Sequence, residues 1–294
     1  MYKIGIDLGG TKIEGIILDG DDNEITRKRI PTEREKGYDH ILENIASVYR
    51  DLATHIDNAP HTLGMGTPGA ISPRTGLLKN SNTVIMNGKP VKCDLQERFG
   101  RDFELQNDAN CFAMAEARHG AGEGKELVFG VIMGTGCGGG LVYNGKVHTG
   151  IMAIGGEWGH MSIDPNGPKC YCGANGCVET YISGGQLTKR YAERYAEDKP
   201  ILEVEKAYYA GDPRAIEFMQ TFFVNFGRAM ANLINILDPD VVVLGGGFSK
   251  FKAIYTEGVK EVERQVFSDS LETPIVQHML GDSAGVLGAA YIGI

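Results

Sequence analysis

The sequence IGIDLGGTKIEGIILDG, from Ile4 to Gly20, contains two short apolar runs rich in β-branched residues and a glycine turn between them. Such runs predict strands, and the glycine turn predicts that the strands form a hairpin. The stretch FGVIMGTGCGGGLVYNG, from Phe129 to Gly145, aligns with the first without gaps, so that Gly5 falls on Gly130. A repeat at this separation predicts two similar domains and not a solenoid of short units. A chance similarity between two glycine-rich hairpins is the alternative.

The rest of the chain predicts alternating strands and helices. Apolar residues recur at helical spacing within residues 39–57, and DPDVVVLGGGFSK predicts a buried strand that ends in a glycine loop. Further helices are predicted at residues 111–119, 183–196 and 213–237 and in the closing stretch GDSAGVLGAAYIGI, whereas residues 150–176 are rich in loop residues. The pattern indicates an α/β protein, and 294 residues suffice for about two domains.

Charge and composition exclude several classes of function. Acidic residues outnumber basic residues by 38 to 29, and the resulting net charge of −9 argues against a nucleic-acid or anionic-membrane partner. No apolar run approaches the roughly 18 residues of a membrane span, and the first residues form a strand pattern and not a signal peptide. We therefore expect a cytoplasmic protein, in which clustered cysteines bind a metal or serve redox chemistry.

Three glycine loops follow predicted strands. The second, at residues 134–139, matches the GxGxxG fingerprint, but a strand and not a helix follows it, and no Gly-Lys pair precedes the Ser or Thr of a P-loop. Glycine lets backbone N–H groups approach an anion closely. Two such hairpin loops, together with the loop at residues 245–247, favour a nucleotide held between two lobes over simple tight turns. Lys12 adds a positive charge, and Asp7 adds a carboxylate for a hydrated magnesium ion.

Three cysteines lie close together in KCYCGANGCVET, from Lys169 to Thr180. Cys170, Cys172 and Cys177 supply soft ligands, and His160, ten residues before Cys170, is the natural fourth ligand of a tetrahedral zinc site. Four protein ligands leave no position for water, so the zinc is expected to be structural. A redox pair or unligated thiols are the alternatives.

These motifs resemble those of a known family. The segments Asp7–Lys12, Gly134–Gly140 and Leu244–Gly247 are similar to the phosphate and adenosine motifs of the actin and hexokinase superfamily. The pattern Cys-x-Cys-Gly-x-x-Gly-Cys-x-Glu resembles that of the ROK family of sugar kinases and repressors, and the resemblance covers essentially the whole chain. It implies an α/β, two-lobed actin-like ATPase fold, related to ribonuclease H, with the ligand cleft between the lobes.

The resemblance also implies how the chain is divided and what it binds. The small lobe is expected to comprise residues 1–107 and 280–294, and the large lobe residues 108–279 with the zinc-binding loop. ATP and Mg²⁺ are implied as cofactors beside structural Zn²⁺, a hexose is implied as substrate, and a homodimer is expected because many relatives are dimers. The implied ATP-binding residues are Asp7, Gly9, Gly10, Thr11, Lys12, Gly134, Thr135, Gly136, Gly245, Gly246 and Gly247.

Sugar-binding residues follow from the same resemblance. Carboxylates and imidazole suit sugar hydroxyls because they form charge-assisted hydrogen bonds. His160 is expected to bind zinc through one ring nitrogen and to present the other nitrogen to a ligand. The implied substrate-binding residues are Gly69, Asn82, Asn107, Asp108, Glu157, His160 and Glu179.

The stretch QNDANCF holds the best catalytic candidate. Phosphorylation of a sugar needs a carboxylate that accepts the hydroxyl proton as the γ-phosphoryl group arrives. Asp108 lies between a predicted strand and a predicted helix, so the residues alone leave it either as this base or as a helix cap. The resemblance implies the base, because the family's catalytic aspartate lies in this Asn-Asp-Ala-Asn context.

The resemblance favours a kinase over a regulator of the same family. The repressors carry a winged helix-turn-helix before the sugar module, whereas the first strand is predicted from residue 3. The stretches GAISPRTGLLKNSNTVIMNGKP and GDSAGVLGAA resemble bacterial fructokinases that also accept mannose, so we expect phosphorylation of fructose at the 6-position. N-acetylglucosamine kinases are the next resemblance. The short segment from His160 to Cys170 instead resembles ROK glucokinases, so these two activities are the alternatives.

Overall fold

A computed structural model describes all 294 residues and divides the chain into two compact units. The first unit comprises residues 1–120, 140–155 and 280–294, and the second comprises residues 121–139 and 156–279. Each unit is therefore assembled from segments that are distant in the sequence.

Twelve strands and nine α-helices make up the regular structure. The strands are β1 (Tyr2–Leu8), β2 (Lys12–Leu18), β3 (Glu24–Pro31), β4 (His61–Thr67), β5 (Ala70–Ile71), β6 (Leu78–Lys79), β7 (Glu104–Asn107), β8 (Leu127–Met133), β9 (Cys137–Tyr143), β10 (Lys146–Val147), β11 (Val241–Gly245) and β12 (Ile275–Gln277). The helices are α1 (Tyr38–His55), α2 (Val91–Phe99), α3 (Asp108–His119), α4 (Glu179–Ile182), α5 (Gly184–Tyr195), α6 (Ile201–Tyr209), α7 (Pro213–Leu237), α8 (Glu257–Gln265) and α9 (Ala284–Ile292).

The first sheet has the strand order β3-β2-β1-β4-β7. The strands β1, β2 and β3 pair antiparallel, whereas β4 and β7 run parallel to β1. The carboxyl ends of parallel strands lie at one edge of a sheet. In this register Asp7 lies beside Gly66, and Thr67 lies beside Asn107, so the ends of β1, β4 and β7 gather these residues at the same edge.

Helices cover both faces of the first sheet. The apolar stripe of α1, which includes Ile41, Leu42 and Ile45, is fully buried against the sheet in the largest hydrophobic cluster of this unit. On the other face, α9 lies unusually close to β1 and β4. An added Cβ at Gly64 would lie only 2.0 Å from the carbonyl oxygen of Ala289, so glycine is required for this approach.

The second sheet repeats the strand order of the first. Its order is β10-β9-β8-β11-β12, with β11 parallel to both β8 and β12. The hairpin β8–β9 thus occupies the position that β1–β2 occupies in the first sheet. The repeat predicted from residues 4–20 and 129–145 is confirmed by this shared topology.

The second unit is mainly helical beyond its strands. The long helix α7 begins at Asp212, whose side chain accepts hydrogen bonds from the N–H groups of Arg214 and Ala215, and Pro213 occupies the first turn. Phe222 packs edge-on against Phe248, with ring centroids 5.2 Å apart. Aromatic packing therefore ties α7 to the chain that follows β11.

The predicted elements and the observed elements differ in several places. The helices predicted at 39–57, 183–196 and 213–237 are present within one or two residues, and the closing helix is α9. The prediction omitted α2, α4, α6 and α8, each of which has nine residues or fewer. No helix of the chain combines the length and the apolar character that a membrane span requires.

The division of the chain also differs from the predicted lobes. The sequence places a boundary between Asn107 and Asp108, whereas in the structure α3 and residues 140–155 belong to the first unit. The reason is close packing between α3 and α9, where an added Cβ at Gly288 would lie 1.7 Å from the carbonyl oxygen of Cys111.

Candidate functional site

Asp7 lies at the carboxyl end of β1, in the first unit. Burial, together with the nearby carboxylates of Asp108 and Glu14, raises the pKa of Asp7 to about 7, and Lys12 opposes this shift. An added Cβ at Gly285 would lie 3.2 Å from Asp7 Oδ2, so the first turn of α9 also adjoins this carboxylate. Asp7 and Asp108, predicted as separate site residues, are therefore near one another.

The first glycine loop is held in place by a threonine that the sequence analysis did not single out. The Gly9 N–H donates to the Lys12 carbonyl at 2.9 Å, which closes the turn. Thr32 is fully buried, and its hydroxyl donates to the Gly9 carbonyl at 2.7 Å, while its N–H donates to the Thr11 carbonyl at 3.0 Å. Thr32 lies 20 residues or more from this loop in the sequence, and no motif links the two.

Lys12 is part of a charged cluster on the same hairpin. Its Nζ atom lies 3.1 Å from Glu14, a carboxylate that is only 2% exposed and that also accepts from Arg27 at 2.6 Å and Arg29 at 2.8 Å. Burial alone would raise the pKa of Glu14, but hydrogen bonds from Arg29, Arg27 and Lys12 outweigh it and lower that pKa. Three cations thus surround Glu14 beside the first glycine loop, and one of them, Arg27, also pairs with Glu24 at 2.6 Å.

Asn107 and Asp108 lie where β7 meets α3. Asn107 is the N-cap of α3, and its Oδ1 accepts from the Ala109 N–H at 2.9 Å. Its Nδ2 donates to the Gly69 carbonyl at 3.2 Å. Asp108 is the first residue of the helix, and its Oδ1 also accepts from the Ala109 N–H at 2.9 Å. The cap alternative for Asp108 is thus weakened, because Asn107 already occupies the N-cap.

Asn82 lies on a loop that is fixed by a neighbouring side chain. The Asn87 side chain accepts from the Ser81 N–H and donates to the Ser81 carbonyl, both at 2.8 Å. Ser81 in turn packs against the turn at Gly69, where φ is +85° and an added Cβ would lie 2.8 Å from the Ser81 N atom. The structure therefore brings Gly69, Asn82, Asn107 and Asp108 to one region of the first unit.

The second and third glycine loops lie together in the second unit. An added Cβ at Gly246, where φ is +81°, would lie 2.4 Å from the carbonyl oxygen of Met133, which directly precedes the second loop. The start of α5 also contacts this loop. The Gly184 N–H donates to the Gly134 carbonyl at 2.8 Å, and the Gly185 N–H donates to the Thr135 carbonyl at 3.2 Å. The sequence analysis did not single out Gly184 and Gly185, although two consecutive glycines are a recognisable signal in a sequence.

Glu179 connects the second glycine loop to the cysteine-rich loop. It is 8% exposed, and its Oε2 accepts from the Cys137 N–H at 2.9 Å. An added Cβ at Gly136 would lie 2.8 Å from the same oxygen. Glu179 also follows Cys177 by two residues and begins α4, so one short segment joins the cysteine cluster to a predicted phosphate-binding loop.

The predicted metal ligands converge. The ligand atoms of His160, Cys170, Cys172 and Cys177 all lie within 4.8 Å of one another. His160 Nδ1 is 3.7 Å from Cys170 Sγ, and Cys172 Sγ is 3.6 Å from Cys177 Sγ. Gly176 has a φ of +67° and would clash with the Asp164 carbonyl if it carried a side chain, so the tight wrap around the cluster depends on glycine.

The donor set fits zinc. Zinc binds sulfur at about 2.3 Å and nitrogen at about 2.0–2.1 Å, so two ligands of one tetrahedral ion lie about 3.5–3.8 Å apart. The observed ligand separations of 3.7 Å and 3.6 Å agree with this value. A hydrogen bond from the Ala174 backbone lowers the pKa of Cys172, whereas burial raises the pKa values of Cys170 and Cys177, so the fit to zinc rests on the geometry of the four ligands. The cluster is therefore compatible with a structural zinc site.

Glu157 directly precedes the short 3₁₀ helix Trp158–His160, and His160 ends it, in the second unit. Trp158 is 7% exposed and packs edge-on against Phe129 with ring centroids 6.0 Å apart, and its ring N–H donates to the Gly138 carbonyl at 3.2 Å. The tryptophan thus fixes this segment against β8 and β9. Glu157, His160 and Glu179, which the resemblance assigns to sugar binding, all belong to this unit.

Comparisons with known proteins agree with the resemblance. A model of the ROK family matches residues 3–294. Among curated proteins, an N-acetyl-D-glucosamine kinase from Aliivibrio fischeri is 36% identical over 300 residues, which covers 99% of this chain and 98% of the relative. An N-acetyl-D-glucosamine kinase from Pectobacterium atrosepticum is 35% identical and covers 98% of this chain and 97% of the relative.

Solved structures give the same family. A ROK hexokinase from Thermus thermophilus matches with a TM-score of 0.88 and 32% identity, covering 100% of this chain and 98% of the relative. A ROK glucokinase from Streptomyces griseus, in complex with glucose and AMPPNP, matches with a TM-score of 0.78 and 25% identity, covering 100% and 99%. The α/β fold class predicted from the sequence is thereby confirmed.

Proposed function

The chain belongs to the ROK family, and we propose that it is a sugar kinase that transfers the γ-phosphoryl group of ATP to the 6-hydroxyl group of N-acetyl-D-glucosamine. The observation that carries the choice of sugar is the match to N-acetyl-D-glucosamine kinases at 34–36% identity over 97–99% of their length. This sugar was an alternative in the sequence analysis, where fructose was the first expectation.

Asp108 is the proposed general base. It accepts the proton of the attacking hydroxyl group as the phosphoryl group arrives. Asn107 supports this role because it takes over the capping of α3 and leaves the helix start fixed with Asp108 at its first position. Gly69, Asn82 and Asn107 are proposed to contact the sugar, together with Glu157, His160 and Glu179.

The glycine loops are the proposed ATP site. The Gly9 and Gly134 N–H groups close their own turns, and the remaining N–H groups and threonine hydroxyls of residues 9–11, 134–136 and 245–247 are proposed to bind the phosphates, with positive charge from Lys12. Bound Mg²⁺ would neutralise phosphate charge, and Asp7 is the proposed carboxylate on its hydration shell. The grouping of the second and third loops around Met133 and Gly246 supports a shared ligand.

Zinc is proposed as a structural ion held by His160, Cys170, Cys172 and Cys177. When bound, it would cross-link the loop between residues 160 and 177 and fix the orientation of the His160 ring. Glu179 supports a coupling between this loop and the ATP site, because it follows the last cysteine and accepts from the Cys137 N–H. A cytoplasmic location and a homodimer remain predictions of the sequence.

A panel assay tests the proposal. ADP formation would be measured with N-acetylglucosamine, N-acetylmannosamine, glucose, mannose and fructose, with Asp108→Asn as the matched inactive control. We expect the highest kcat/KM with N-acetylglucosamine. A higher kcat/KM with fructose would instead support the fructokinase activity that GAISPRTGLLKNSNTVIMNGKP suggests. Binding of sugars without any sugar-dependent ADP formation would contradict the kinase and favour a sugar-sensing regulator.

A further inference from the structure

Tyr171 makes a contact that the proposed function does not use. It lies between two of the predicted cysteine ligands in the sequence, and the residue is 80% exposed. Its hydroxyl oxygen is nevertheless 3.1 Å from Nε2 of His160, and the two rings meet edge to face with centroids 5.2 Å apart. An exposed tyrosine is thus aimed at a specific atom of a predicted sugar-binding residue.

The two nitrogens of His160 face different partners. Nδ1 faces the cysteine cluster, 3.7 Å from Cys170 Sγ, and Nε2 faces Tyr171. With a metal on Nδ1, the neutral ring carries its one proton on Nε2. Nε2 then donates, and the tyrosine oxygen accepts. One N–H group makes one good hydrogen bond, so a second acceptor can bind well only if the first one leaves.

The other two predicted sugar contacts of this unit, Glu157 and Glu179, lie close to His160 along the backbone or through Cys177. The His160 N–H donates to the Glu157 carbonyl at 3.2 Å, and Glu179 follows Cys177, whose Sγ lies 3.4 Å from the His160 carbonyl oxygen. The Tyr171 hydroxyl group, beside Nε2 of His160, therefore occupies the position that a sugar hydroxyl group would take in the proposed function.

We propose that Tyr171 sets the affinity for the sugar by competing with a sugar hydroxyl group for the Nε2–H of His160. In the absence of sugar, the tyrosine oxygen satisfies this donor. When the sugar binds, the tyrosine side chain rotates away, which costs little packing because most of the ring faces solvent. This inference rests on the proposed function, since it takes His160 as a sugar contact.

The substitution Tyr171→Phe separates competition from direct binding. It keeps the ring and removes the competing oxygen. The KM for the sugar and the sugar Kd measured by calorimetry without nucleotide should each fall about fivefold, the change expected for one net hydrogen bond, while kcat stays unchanged. Zinc content should equal that of the wild type. Tyr143→Phe, an exposed tyrosine at the end of β9, is the matched control and should change neither constant.

A second measurement follows the hydrogen bond itself. In zinc-loaded protein without sugar, the His160 Nε2 proton should exchange more slowly with solvent in the wild type than in Tyr171→Phe. A raised or unchanged sugar KM, loss of zinc, or unchanged proton exchange in the Phe variant would overturn the inference. Wild-type protein without sugar-dependent ADP formation would instead reject the proposed function, and the inference with it.

Discussion

Two adjacent residues, Asn107 and Asp108, make different contacts at the start of α3. Asn107 supplies the N-cap and also binds the Gly69 carbonyl, so it ties the helix to the turn after β4. Asp108 lies in the next position and approaches the carboxyl end of β1, where it affects the pKa of Asp7. A capping aspartate and a catalytic aspartate cannot be distinguished by sequence alone, because both precede a helix. The structure assigns the N-cap to the neighbouring asparagine.

The substitution Asp108→Asn tests the base. The amide keeps the size and the hydrogen bond to the Ala109 N–H, but it cannot accept a proton. We expect turnover at saturating ATP and sugar to fall by about 10²–10⁴-fold, the KM for the sugar to change little, and the thermal midpoint to stay near that of the wild type. A variant that retained more than about a tenth of wild-type turnover would leave the proposal without its base.

The carboxyl group of Asp7 predicts a pH dependence of stability. Its folded-state pKa of about 7 lies above the ordinary value of 3.8, so the folded protein binds this proton more tightly than the unfolded chain. The stabilising contribution is present below pH 3.8 and is lost as the pH rises towards 7. In the Asp7→Asn variant, the side chain at this position cannot titrate. The free energy of unfolding of the variant, relative to the wild type, should therefore increase between pH 4 and pH 7 in urea titrations. Parallel pH profiles for the two proteins would contradict this.

Site residues that belong to a recognisable sequence motif could be predicted, whereas residues that hold a loop in place from elsewhere in the chain could not. The four predicted metal ligands follow from spacing and donor chemistry, and they converge in the structure. Thr32 and Asn87 hold the loops at Gly9 and Ser81, but each is an ordinary residue at the end of a strand or in a turn. Their roles arise from strand register and loop closure, which bring together residues that no local pattern connects.

At the scale of elements, the cysteine-rich loop has little regular structure of its own. Between residues 161 and 178, the backbone is held by isolated bridges, Ser162 with Cys177 and Lys169 with Asn175. Such a segment buries few apolar side chains, so a metal cross-link would supply much of its order. Helix α4 and its buried Glu179 follow directly, and the loop can therefore influence the second glycine loop.

Removal of zinc should affect both stability and activity. We expect purified protein to contain about one zinc ion per chain, and Cys172→Ser to lose the ion together with sugar phosphorylation. Chelation should also lower the thermal midpoint of the wild type. Metal content would be measured by atomic emission, with Cys93→Ser, an exposed cysteine outside the cluster, as the control that keeps the metal. Full activity of metal-free protein would contradict a structural coupling to the site.

At the scale of the whole molecule, the duplicated sheet topology was predictable and the division into units was not. The two glycine hairpins align in the sequence, and each begins a sheet with the same strand order. The first unit, however, includes α9 from the end of the chain, because Gly5, Gly64 and Gly288 allow this helix to pack closely on β1, β4 and α3. Sequence patterns reveal the periodicity of neighbouring residues. A contact between α9 and distant strands leaves no such pattern in the sequence, so it could not be predicted.

Removal of α9 should therefore unfold the first unit selectively. A chain that ends at Ser283 loses the helix that covers one face of the first sheet, and it also loses the hydrogen bonds between Leu63 and Ile294. We expect amide hydrogen exchange in β1 and β4 to become fast, while β11 and α7 in the second unit keep their protection and serve as the internal control.

Gly288→Val is a milder variant with the full chain length. The added side chain clashes with the Cys111 carbonyl, so the same segments should lose protection to a smaller extent. Equal loss of protection in both units would show that the chain unfolds as one cooperative body, and full protection of β1 in the truncated chain would show that α9 is dispensable for the first sheet.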